Sequence, residues 1–304
     1  MKLSFGHGLG SLFVLLLGLL SPGAALADTI LVANYAGDTI GEYTTSGATV
    51  NASLISGLNR PQNFVLSGSD LFVTNFLTGT IGEYTTSGAT VNASLISGLQ
   101  GPSSIALSGS DLFVTNSLTG TIGEYTTSGA TLNASLVSGL SYPFAVAVSR
   151  SNLFVLNLVT GTIGEYTTSG ATVNASLISG LTFAQTFLLS GSDLFVAFVY
   201  PVNTIGEYTT SGATVNPSLI SGLNGPDGIA VSGSDLFVTN FTGGTIGEYT
   251  TSGATVNPTL ISGLKGPAGI AIVPEPNTIA LLGFGLAGLG WCSLRYSAKW
   301  PDQL

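Results

Sequence analysis

Histidine, cysteine and methionine each occur once in this 304-residue chain, at His7, Cys292 and Met1, and none lies in its repeated part. The repeats therefore hold no disulfide, no thiol nucleophile and no imidazole base. Charge is scarce as well, at 7% of residues, against about 25% in an ordinary soluble domain. Six basic residues against fifteen acidic ones leave a net charge of −9. That balance excludes a nucleic-acid partner, because phosphate binding needs a Lys/Arg surface. A sustained 3.6-residue apolar pattern is also missing between the two ends, so helices are not expected there. What the chain has instead is Gly, Ser, Thr and Asn, the composition of short strands and tight turns.

The segment TIGEYTTSGATVNASLISGL (80–99) recurs six times, nearly letter for letter. Its IGEY core begins at Ile40, Ile81, Ile122, Ile163, Ile205 and Ile246, in steps of 41, 41, 41, 42 and 41 residues. A fixed period in this range marks a repeat architecture. Each unit carries four strand-like runs; around 104–138 these are SIAL, LFVTN, TIGEYT and ATLNASLVS. Four strands per unit of this length is the size of one β-propeller blade.

The phase of the repeat speaks to closure. The first unit opens on its second run, ILVAN (30–34), and the last ends on a lone first run, GIAIV (269–273). In a closed ring the last run completes the first blade, which removes open sheet edges. The expectation is an all-β, six-bladed propeller over 28–273, closed by a terminal strand. It is flanked by a signal peptide (1–27) and an anchor segment (274–304).

The residues GPDGIAVSGSDLFVTNFTGGTIGEYTTSG (225–253) resemble the repeat of NHL-type propellers, and GTIGEY is similar to repeats of streptogramin B lyase-like propellers. The likeness spans 28–273 and implies the fold; propellers host many unrelated activities. Lyase-like members use a histidine, which is absent here once the signal is removed. Lactonase-like members cluster carboxylates around an axial metal. The axis-lining first runs here are apolar, and Asp227 is the one acid at their mouth, with Gln62 and Asn63 elsewhere on the ring. One acid is too few for a Ca²⁺ or Mg²⁺ cage, so no metal and no cofactor are expected. The repeated Glu42, Glu83, Glu124, Glu165, Glu207 and Glu248 sit two strands out from the axis in six different blades and cannot meet at one ion. The repeated Asp70, Asp111, Asp193 and Asp235 read as turn formers. GFGLAG (283–288) fits a dinucleotide fingerprint in letters alone, with no strand before it.

Both ends carry addressing signals. Lys2, the apolar LFVLLLGLL (12–20) and Ala25-Leu26-Ala27 form a secretory signal with cleavage between Ala27 and Asp28. At the other end, Val273-Pro274-Glu275-Pro276 precedes an apolar run (279–294) and then Arg295 and Lys299. This layout resembles a PEP-CTERM sorting tail; an ordinary membrane anchor is the plainer alternative. The resemblance implies a transmembrane helix, an exosortase as processing partner, a Gram-negative setting, and delivery to the cell surface or an exopolysaccharide matrix. Its basic residues are scattered, and WPDQL extends beyond the usual end.

The units differ most on one rim. The turns between first and second runs, and between third and fourth, hardly change. The remaining loops do change, and Tyr142, Pro143, Phe144, Phe183, Phe198, Tyr200 and Pro201 gather in the fourth and fifth blades. Repeat drift accounts for this as readily as selection does. If selected, Tyr142, Phe144, Phe183, Phe198 and Tyr200 form a ligand-binding sector for a polysaccharide or a surface protein. The leading expectation is a non-enzymatic binding or matrix protein. A lyase- or lactonase-type enzyme is the first alternative. An ice- or surface-adhesion protein using its TTSGAT turns is the second.

Overall fold

The computed structural model describes residues 28–274. The expected signal helix and C-terminal apolar helix fall outside the described residues. Six four-stranded antiparallel sheets make a six-bladed β-propeller. Blade 1 is assembled from both ends: its inner strand, Pro267–Val273, pairs with Thr29–Asn34 of the other end. The other inner strands are Pro61–Ser67, Pro102–Ser108, Pro143–Ser149, Ala184–Ser190 and Pro226–Ser232, for blades 2 to 6 in turn. Each touches the inner strands of the two neighbouring blades, so together they enclose the axis.

The second strand of each blade reads as a continuous apolar run because both its faces are buried. In blade 2, Leu71 and Val73 pack towards blade 1, with Phe64 and Leu58. Phe72 packs the other way, against Ile105, Leu112 and Val114 of blade 3. The core is thus six slabs between blades rather than one central mass. The IGEY motif has a local cause: a Cβ on Gly123 would lie 2.6 Å from the ring of Tyr125, so glycine lets the tyrosine lie across its own strand. The phenol meets the asparagine ending the second strand, Asn116 here and Asn34, Asn75 and Asn157 in other blades.

The constant rim is constant for a packing reason. The glycine of each TTSG turn presses against the outer strand of the preceding blade. At Gly129 (φ +87°) a Cβ would sit 2.8 Å from the Leu95 carbonyl oxygen. Gly109, in the nearby turn, has φ +61° and open space around it. Gly129→Ala is therefore expected to cost about 2–3 kcal/mol, and Gly109→Ala about 1 kcal/mol from the left-handed backbone alone. Equal shifts in denaturation midpoint would contradict this inter-blade contact.

The outer strands are exposed along most of their length, and their register against the third strands slips at Glu124–Asn133 and its equivalents. Short, bulged, polar edges of this kind resist edge-to-edge pairing. Each outer-strand Asn accepts a hydrogen bond from a backbone N–H two residues on, as at Asn133 to Ser135. Asn216 does the same although Pro217 follows it. The asparagine thus has a backbone role with or without a glycosylation sequon around it.

The inner strands begin two residues earlier than the apolar pattern suggests, at Pro61, Pro102 and Pro143 and their counterparts. Proline at a strand's first position forgoes a donor that the ladder does not need. The next residues form a bulge against the second strand. Where the second strand carries threonine, its hydroxyl stitches the bulge, as Thr115 does with Ser104 at 2.7 Å.

Candidate functional site

That bulge turns one side chain per blade towards the axis at the variable rim. The six equivalent positions, from blade 1 to blade 6, hold Ala268, Gln62, Ser103, Phe144, Gln185 and Asp227. The first residue of each loop between second and third strands supplies another ring: Tyr35, Phe76, Ser117, Leu158, Val199 and Phe241. One backbone hydrogen bond links the two rings in every blade. The N–H of the loop residue donates to the residue just before the inner strand, as Phe76 to Arg60 (3.2 Å) and Phe241 to Gly225 (2.7 Å). The frame repeats; the side chains on it do not.

That accepting residue is left-handed in all six blades. It is glycine at Gly101, Gly225 and Gly266, but Arg60 (φ 51°), Tyr142 (φ 56°) and Phe183 (φ 69°) elsewhere. An L-residue there costs about 1–2 kcal/mol, so three blades accept backbone strain to carry a side chain at this point.

Eight of these twelve ring residues, all but Ala268, Ser103, Ser117 and Leu158, line a cavity of about 650 Å³ at the mouth of the axis, within the roughly 300–1,000 Å³ of small-ligand sites. Its walls include Tyr35, Phe76, Tyr142, Phe144, Tyr200 and Phe241. Tyr142 and Phe144 stack with centroids 6.3 Å apart, and Tyr35 and Phe241 tilt together at 5.8 Å. Arg60 lies over Tyr35 at 5.5 Å from the ring centre. Gln62, Gln185 and Asp227 supply the polar part of the lining. Gln62 Nε2 donates to Asp227 Oδ2 at 3.4 Å, passing the small Ala268 that lies between them in the ring.

Burial pushes the Asp227 carboxyl up to about 7, and hydrogen bonds from Gln185 and Gln62 pull the other way. A raised carboxyl pKa means that folding favours the protonated form. The stability it contributes is fully present below the unfolded value near 4 and is lost as pH rises through about 7. Asp227→Asn, which keeps a neutral side chain, is therefore expected to leave stability unchanged at pH 4. At pH 8 it should raise it by up to about 4 kcal/mol, at roughly 1.4 kcal/mol per unit. A pH-independent difference in unfolding midpoint would contradict the assignment.

Of the five rim aromatics expected from sequence, Tyr142, Phe144 and Tyr200 line the cavity. Phe183 is half exposed beside it. Phe198 does not face the rim: it is 6% exposed and lies 6.5 Å from Tyr208, occupying the place where other blades put the tyrosine-bonding asparagine. Tyr35, Phe76, Phe241 and Gln185 were not singled out from sequence. Aligning the six units position by position would have found them, because each stands in a ring that holds five residue types across six blades.

The repeated glutamates stay apart, one per blade. Burial, then the neighbouring Asp70, Asp111, Asp193 or Asp235, raises the carboxyls of Glu83, Glu124, Glu207 and Glu248. In blade 4 the aspartate is replaced, and Asn152 donates to Glu165 at 2.7 Å. Among the described residues no three metal-ligating side chains converge.

Both described ends lie at the opposite rim. Val273 pairs with Thr29, and the Asp28 carbonyl accepts from Thr45 of a TTSG turn. Ser232 Oγ donates to Asp28 at 3.1 Å. Pro274 follows Val273 directly; Ala27, Glu275, Pro276 and Arg295 lie outside the described residues.

Residues 273–295 match the PEP-CTERM protein-sorting motif. The motif supports export, membrane-anchored sorting and handling by exosortase-type machinery. No curated protein matches the chain. Among solved structures, the fold is similar to a chain of a nidogen/laminin complex, with TM-score 0.65 and 14% identity over 82% of this chain and 99% of that one. It is also similar to streptogramin B lyase, at 0.58 and 18% over 82% and 93%. Virginiamycin B lyase from Staphylococcus aureus follows, at 0.59 and 18% over 81% and 89%. Identities this low show the shared propeller fold alone.

Proposed function

We propose that this exported, surface-sorted propeller is a non-catalytic binding protein that seats an extracellular saccharide chain in the funnel of its variable rim. One observation carries the reading. The exposed outer strands have stayed almost identical through six units, whereas the half-buried funnel positions differ from blade to blade. Drift alone would concentrate where the fold constrains least, on those outer strands. Aromatic faces beside amides and a carboxyl are the surfaces that sugar rings and their hydroxyls use. Because both described ends lie at the other rim, a membrane-held tail beyond Pro274 does not occupy the funnel's own rim.

The test is retention of the full-length protein on exopolysaccharide purified from the cells that make it. Tyr142→Ala/Tyr200→Ala is expected to reduce retention at least tenfold. Leu132→Ala, an exposed apolar change on an outer strand, should leave it unchanged. Full retention by a folded double variant contradicts the reading.

A catalytic reading has one observation in its favour: Asp227 can hold or release a proton near neutrality. It is the one carboxyl in the lining, and no imidazole or thiol joins it there. Incubation with quinupristin, named with the structural neighbour virginiamycin B lyase, is expected to leave that compound intact. Cleavage that disappears in Asp227→Asn would replace binding by catalysis.

A further inference from the structure

The funnel's charge and its aromatic wall narrow the ligand. Asp227 is the one charged side chain in the lining; no Lys, Arg or His is present there. Its hydrogen-bond partners are two neutral amides. A buried carboxylate without a cation is expensive, and an arriving positive charge offsets that cost. Around it stand the rings of Tyr35, Phe76, Tyr142, Phe144, Tyr200 and Phe241. Aromatic walls about a cavity attract an ammonium ion by their π faces, most strongly where water is displaced. Arg60 already uses one such face, on Tyr35.

We propose that the funnel reads an organic ammonium group, brought to Asp227 by the end of an amino-sugar chain. This rests on the saccharide-binding reading above and specifies its ligand. An acidic sugar would meet the lone carboxylate and a chain of net charge −9. A neutral sugar could hydrogen-bond Gln62, Gln185 and Asp227 but would leave the carboxylate's charge unmatched. The lining comes entirely from the variable rim, with no residue of the opposite turns. A polymer entering from that rim reaches Asp227 by an end or a side branch.

The other titratable groups facing this space are the phenols of Tyr35, Tyr142 and Tyr200. Behind Tyr35 lies the Arg60 guanidinium, and Asp38 accepts from the Arg60 backbone N–H at 2.8 Å. A fixed-charge ammonium pairs with the ionised carboxylate, so its affinity should rise as pH increases from 5.5 to 7.5, whereas an amino sugar gains less because its amine loses a proton in the upper part of that range.

Titration calorimetry on the full-length protein in detergent tests this with three probes: glucosamine oligomers, their N-acetylated counterparts, and choline. Glucosamine oligomers are expected to bind at least tenfold more tightly than the acetylated ones. Below pH 7 their binding should release a proton, seen as a buffer-dependent enthalpy. Asp227→Asn should abolish both the preference and the proton release. Choline cannot lose a proton, so its pH dependence isolates Asp227. Equal affinity for acetylated and free-amine oligomers overturns the ammonium assignment and leaves saccharide binding standing. Binding of choline with no binding of any oligomer overturns the amino-sugar source and the saccharide reading together, keeping the ammonium chemistry. Silence from all three probes overturns both.

Discussion

A chain ending at Leu264 is expected to lose cooperative unfolding and to aggregate. The deletion takes away the inner strand of blade 1 and leaves Thr29–Asn34, an apolar strand buried on both faces, as an open edge. Ile270 and Ile272 leave the slab between blades 6 and 1, and Ala271 and Val273 leave the slab between blades 1 and 2. The Ala268 carbonyl that accepts from Thr239 at 2.8 Å goes as well, leaving that buried hydroxyl with Gly228 alone. A large apolar side chain is worth about 1.5–3 kcal/mol when fully buried, these partly buried ones contribute a fraction of that, and the opened apolar edge of Thr29–Asn34 adds to the loss. Together these losses rival the ~5–15 kcal/mol net stability of a whole domain. Thermal unfolding followed by circular dichroism decides it. A shortened chain melting in one transition at the full-length midpoint would mean that the ring does not depend on its closing strand.

Replacing Pro274, Glu275 and Pro276 by alanine is expected to leave folding intact and to abolish release. The inner strand of blade 1 ends at Val273, where the match to the sorting motif begins, so the substitutions fall outside its ladder. Wild-type protein should be processed and leave the membrane fraction; the triple variant should remain there at its unprocessed gel mobility. Identical mobility and identical release would show that the motif does not direct processing of this chain.

The ring, its blade count and its closure were legible because they depend on periodicity and phase. The shared spacing of IGEY and the unit that starts without its first run are properties of the string itself. The funnel was less legible, for two physical reasons. Its polar positions, Gln62, Gln185 and Asp227, stand within bulged strand ends that read as loop, because proline precedes two of them and the alternation breaks there. Its walls come from blades far apart in sequence: Tyr35 and Phe241 are neighbours because the chain closes on itself. Loops compared as whole strings drew attention to blades 4 and 5, where the insertion around Tyr200–Asn203 makes the difference largest. Phe198 misleads for a related reason. It stands at the last position of its strand, next to the loop, yet it fills a core position vacated by asparagine.

Ligand entry into the funnel of the variable rim is open to test by hydrogen–deuterium exchange of the full-length protein with and without exopolysaccharide. Protection is expected in the segments around Gln62, Tyr142 to Phe144, Val199 to Asn203 and Asn224 to Asp227, all of which contribute to the funnel. The TTSG turns of the opposite rim should exchange as before. Protection of those turns, or an unchanged map under conditions where polysaccharide is demonstrably bound, would contradict the account.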